Sequence, residues 1–152
     1  MEKYCRADIA FQLMERMKSM FKESLAFNVD ISKWNVANVR IMVFLFYNAN
    51  SFKINILSWD VGNVISMLLM FKYSMKFDSN LSAWNVSKVE NMKNMFKGAF
   101  LFIGDVSSWD VSNVKTMSIS ESKVLRRIMP NYFHHCVSNP NTLIIHFFWN
   151  VS

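Results

Sequence analysis

The sequence predicts an α/β solenoid of about four 25-residue coils, each a short helix followed by a short parallel strand, and three observations predict it. Trp34, Trp59, Trp84 and Trp109 recur at a constant spacing of 25 residues. Other columns move in step with them: Val36, Val61, Val86 and Val111 stand two residues after each Trp, and Phe21, Phe46, Phe71 and Phe96 precede it. Within each unit a spacing of one helical face gives way to the alternation of a strand.

The elements follow in order. Residues 1–16 read as an N-terminal capping helix, with Ile9, Phe11, Leu13 and Met14 on its apolar side to cover the first coil. Residues 17–117 hold the four tandem repeats. In each, a Met-x-x-Met-Phe run such as Met67, Met70 and Phe71 has the i, i+3, i+4 spacing of a helix, although a helix of two turns needs packing to persist. Leu45 replaces the second Met in the second repeat. A further Phe column (Phe27, Phe52, Phe77, Phe102) and an aliphatic column (Ile31, Ile56, Leu81, Val106) lead into Trp-x-Val, which alternates like a strand with Trp and Val inward. Residues 118–152 read as an irregular C-terminal cap, in which Trp149-Asn150-Val151-Ser152 repeats Trp84-Asn85-Val86-Ser87 as a degenerate, truncated repeat.

Composition sets outer bounds. At 52% hydrophobic and 15% aromatic, the 152 residues have ample material for a core and are not a disordered tail. The longest apolar runs, Ile41 to Tyr47 and Leu143 to Trp149, fall short of the roughly 20 residues that span a bilayer, so no transmembrane segment is expected. The first residues have no apolar run of the secretory type, so no signal peptide is expected. A net charge of +6 comes from lysines and arginines spread along the chain, outside any nucleic-acid motif, and a nucleic-acid partner is not expected.

The combined pattern, Met-x-x-Met-Phe, an aliphatic after Asn or Asp, and Trp-[Asn/Asp]-Val-x-Asn-Val at constant period, resembles the BspA-type leucine-rich-repeat family of surface-protein repeats over about residues 14–117. Lys88 departs from it, standing where the other repeats carry Asn38, Asn63 and Asn113. The resemblance implies a leucine-rich-repeat-like solenoid, a cell-surface or secreted location, and a part in adhesion or protein binding.

Few residues invite chemistry. Asp30, Asn55, Asn80 and Asp105 form one polar column and Asn35, Asp60, Asn85 and Asp110 another. A calcium site would need several oxygens converging on one ion, whereas this spacing places one per coil, so turns and ladders are the expected role. His134-His135-Cys136 and the isolated His146 lack the spacing of a zinc site, and Cys5 and Cys136 form no recognisable pair. No nucleophile stands in a catalytic motif. The expectation is a protein that is not an enzyme and needs no cofactor or metal.

The leading functional reading is a non-catalytic interaction or adhesion module that meets a protein or glycan through its sheet face. Asn35, Asp60, Asn85 and Asp110 are the candidate ligand-binding residues, and self-association through an exposed array end is a further partner reading. The alternative is a truncated or structural repeat fragment with no selected ligand.

Overall fold

A computed structural model describes residues 15–117, the part of the chain that holds the four repeats. Apart from Glu15 and Arg16, the caps expected over 1–16 and 118–152 lie outside the described residues, as do both cysteines and all three histidines. Each 25-residue unit forms one coil, and each coil is hydrogen-bonded to the next in constant register.

The backbone of these coils is not the expected one. In the segment read as a helix, N–H groups alternate between two destinations. Those of Met42, Phe44, Phe46 and Asn48 donate to the carbonyls of Ser66, Leu68, Met70 and Lys72 in the next coil, at 2.8 to 3.0 Å. Those of Leu45, Tyr47 and Ala49 donate three residues back, to Met42, Phe44 and Phe46, and so close overlapping β-turns. Phe44 and Asn48 have φ of 57° and 56°, and the pairs at the same register, Ser19 and Glu23, Leu69 and Tyr73, Asn94 and Gly98, are left-handed as well. Each falls at the third position of its turn, where a type II turn requires positive φ. A helix would send every N–H four residues back and has no place for a left-handed residue.

The α/β coil of helix plus parallel strand is therefore corrected: among the described residues there is no helix, and the only extended pairing is a set of single parallel bridges linking Arg16, Ile41, Ser66, Asn91 and Thr116. Trp-x-Val is not a strand either. The N–H of Trp59 closes a turn onto the carbonyl of Ile56 (3.1 Å), and that of Val64 closes another onto Val61 (2.9 Å), with the same bonds in the neighbouring coils. The physical reason for the misreading lies in the burial pattern. The tandem turns bury Met42, Leu45, Phe46 and Ala49 and leave the intervening pairs Val43–Phe44 and Tyr47–Asn48 half-buried, which is the same i, i+3, i+4, i+7 stripe that a helix would show.

Stacking puts like on like. Phe21, Phe46, Phe71 and Phe96 form one ladder with ring centroids 5.5, 5.6 and 5.6 Å apart. Phe27, Phe52, Phe77 and Phe102 form a second, at 5.9, 5.8 and 5.4 Å. The two lie against each other, 3.9 Å apart within each of the first three coils. Offset stacks of this kind add to the large apolar area that each ring removes from water. Trp59, Trp84 and Trp109 are buried beside them, and their indole N–H groups donate to the carbonyls of Ile31, Ile56 and Leu81 in the preceding coil, so a polar tip inside the core is satisfied. Trp84 and Trp109 stack at 6.4 Å, as the inward Trp column of the sequence leads one to expect.

One glycine is demanded by its place. Gly98 has φ of +74°, and a Cβ there would lie 2.3 Å from the ring of Tyr73 in the preceding coil. The aromatic lid excludes a side chain here, and glycine takes the left-handed backbone at no steric cost.

Candidate functional site

The candidate residues Asn35, Asp60, Asn85 and Asp110 stand at the corner between each Trp and the following Val, and all four are exposed. With no sheet among the described residues, they form a row of turn corners, one per coil, and not a sheet face. Each Oδ1 accepts the backbone N–H two residues on: Ala37 at 3.1 Å, Gly62 at 3.0 Å, Ser87 at 3.1 Å and Ser112 at 3.0 Å. These are Asx turns, in which a short side chain stands in for a backbone acceptor. The column Asp30, Asn55, Asn80 and Asp105 does the same for Ser32, Leu57, Ser82 and Ser107, each at 2.9 Å. The Asp30 carboxyl is held below its ordinary range by the Ser32 N–H, then by the Ser32 hydroxyl, with the Lys33 charge adding to these against a small desolvation.

A third polar row ties coils together. Asn63 and Asn113 donate from Nδ2 to the carbonyls of Ala37 and Ser87 in the coil before, at 2.9 and 2.7 Å. Lys88, the departure from the repeat, instead reaches the Oδ1 of Asn63 with its ammonium (2.7 Å). The corners are thus held twice, by their own Asx bonds and by bridges along the stack. What they can offer a partner is a line of carboxylate and carboxamide groups at fixed register on a stiff support. Among the described residues, no three of His, Cys, Asp and Glu come together as a metal-binding group, and no helix is long and apolar enough to cross a membrane.

Sequence reasoning missed a different cluster, on the outward side of the turn ladder. Lys22 lies over the rings of Phe44 (5.8 Å) and Tyr47 (5.7 Å), and Lys72 over those of Tyr47 (5.6 Å) and Tyr73 (4.9 Å). Phe44, Tyr47 and Tyr73 meet edge to face at 5.5 and 6.1 Å. In sequence these residues sit between the Met and Phe columns, off the apolar face of the expected helix. Aligning the chain at period 25 places Lys22, Tyr47, Lys72 and Lys97 in one column, the only signal that foretells the cluster.

Comparison with known proteins agrees with the extent of the array. The family described as "Mycoplasma protein of unknown function, DUF285" matches residues 15–125, well over half of the chain. A second family, described as "Phosphatidylinositol-4-phosphate 5-Kinase", matches residues 100–151, too small a share of the chain to show membership. No curated protein and no solved structure matches the chain. The stretch matched by the first family takes in every coil of the stack, from the first parallel bridge at Arg16 to the last at Thr116, and the chain therefore belongs to the DUF285 family of mycoplasma proteins.

Proposed function

We propose that the protein is a non-catalytic interaction or adhesion module, as the resemblance to BspA-type surface repeats implies, and that it meets a protein or glycan through the row Asn35, Asp60, Asn85 and Asp110. The observation that supports this reading most is the combination of exposure and restraint. Each side chain is exposed while its Oδ1 is fixed by an Asx bond, so a partner that hydrogen-bonds to the row meets groups whose rotamers are already ordered. Preorganised groups of this kind give affinity at a low entropic cost. The row alternates Asn and Asp from coil to coil, which suits an extended partner with alternating donors and acceptors.

The test uses changes that keep the Asx bond and alter only the other atom of each group: Asp60→Asn, Asn85→Asp and Asp110→Asn in one protein. Purified full chain is screened against arrays of glycans and extracellular proteins, and affinity for any ligand found is measured for both proteins. The expected outcome is a loss of about tenfold or more, as for removal of one or two charge-assisted bonds, with an unchanged melting curve. Equal affinity would remove the row from the binding surface.

A further inference from the structure

The outward positions of the turn ladder carry a charge and apolarity pattern that the corner row does not share. In the first coil they are Lys18, Ser19, Lys22 and Glu23, and in the fourth Lys93, Asn94, Lys97 and Gly98. Between them the second and third coils present Val43, Phe44, Leu68 and Leu69, all half-buried, beside Tyr47, Lys72 and Tyr73. The face thus has an apolar and aromatic centre bracketed by lysines. Its five lysines meet one carboxylate, Glu23, which is already 3.4 Å from Lys22. Over the remaining described residues basic and acidic side chains are equal in number, seven of each, so the whole excess of positive charge in the array sits on this one face.

We propose that this face docks on an anionic lipid bilayer, lying flat against the headgroups without crossing them. Three features choose a bilayer over other anions. A periodic polyanion laid along the stack would be matched by a cation in every coil, yet the second coil has none in its outward positions, which are Val43, Phe44, Tyr47 and Asn48. Single-stranded nucleic acid would need open ring faces for base stacking, and the Tyr47 ring has Lys22 and Lys72 over it. A bilayer asks for neither register nor stacking. It asks for half-exposed aliphatic and aromatic side chains at the boundary with lysines among them, and here the ammonium groups of Lys22 and Lys72 rest over the rings of Phe44, Tyr47 and Tyr73, within one side-chain rotation of a headgroup phosphate. The proposal is independent of the corner row, which uses other residues.

The test is partition of the full chain onto vesicles of phosphatidylglycerol and phosphatidylcholine, with pure phosphatidylcholine vesicles and soluble heparin as comparisons. Binding to the anionic vesicles and not to the neutral ones is expected. Replacing Lys72, Lys93 and Lys97 together with Gln should lower the partition coefficient about a hundredfold at low salt, from the attraction of each lysine to an anionic surface. The triple change Lys33→Gln, Lys53→Gln and Lys76→Gln, on exposed residues elsewhere in the coils, lowers net charge by the same amount and should leave most binding in place. Leu69→Asn, which copies the Asn94 of the next coil at the same left-handed position, should abolish the part of the binding that survives high salt. Equal losses from the two lysine triples would reduce the effect to net charge and overturn the proposal. Stronger binding to heparin than to the vesicles would overturn it in favour of a soluble polyanion, and retention of salt-resistant binding in Leu69→Asn would overturn the role of the apolar centre.

Discussion

At the scale of single residues, most of the interior was legible in the sequence because it repeats. The Phe and Trp columns follow directly from period 25, and they stack ring on ring as that period requires. Corner residues were legible in kind, since Asn and Asp in fixed columns suggest Asx turns and each of them makes one. Gly98 was not, because the neighbour that demands it, Tyr73, is placed against it only by stacking. Gly98→Ala should destabilise the protein by about 2 to 4 kcal/mol, from a left-handed alanine together with overpacking against the ring. Adding Tyr73→Asn, which restores the Asn48 type at that register, should recover part of the loss. A double-mutant cycle by urea denaturation checks this, and additive losses would show that the ring is not the obstacle.

At the scale of the element, the sequence misleads for a reason that can be stated. Tandem type II turns and a helix bury the same positions, so hydrophobic spacing cannot tell them apart. The residues in left-handed positions include Phe44, Leu69 and Tyr73, which rarely adopt that conformation and give no warning of it. The coil-to-coil hydrogen bonds hold them there, since the alternate N–H groups find carbonyls in the next coil at 2.7 to 3.0 Å. The same logic applies to the Asn bridge. Lys88→Asn would place a carboxamide at the register of Asn63 and Asn113, where it can donate to the carbonyl of Gly62 in the coil before. It should raise stability by about 0.5 to 1 kcal/mol, because a short carboxamide side chain gives up less rotamer freedom in making its bond than the long lysine stem does. A rise in the urea midpoint with no change in slope is the expected result; a fall would mean that the ammonium contact with Asn63 is the better bridge.

For the molecule as a whole, the stack was legible and its surface was not. Lysines dispersed along the chain, read as a solvated background, are gathered by the 25-residue register onto one face, while acids and bases elsewhere offset one another. The identity of register from coil to coil also predicts that coils are interchangeable. Deleting residues 42–66 joins Ile41 to Met67 and sets the first coil against the third with Phe21 over Phe71 and the backbone ladder unbroken. That protein should fold cooperatively with a smaller denaturant slope, in proportion to the surface of one coil. A deletion of twelve residues from the same region breaks every column and should not fold. If both deletions gave folded proteins, stacking in register would not be what holds the array.

The backbone ladder has one more consequence, which is electrical. Between each pair of neighbouring coils, four N–H groups of the earlier coil point to carbonyls of the later one, as from Met42, Phe44, Phe46 and Asn48, and fewer bonds run the other way, as from Ile65 and Ser66 to Arg40. Peptide dipoles of about 3.5 D each therefore add along the stack as they do along a helix. The array is polarised, with its positive pole at the fourth coil and its negative pole at the first. The ladder therefore has a direction: along it, negative charge is favoured toward the fourth coil and positive charge toward the first, so the same carboxylate or ammonium group differs in energy with the coil that carries it.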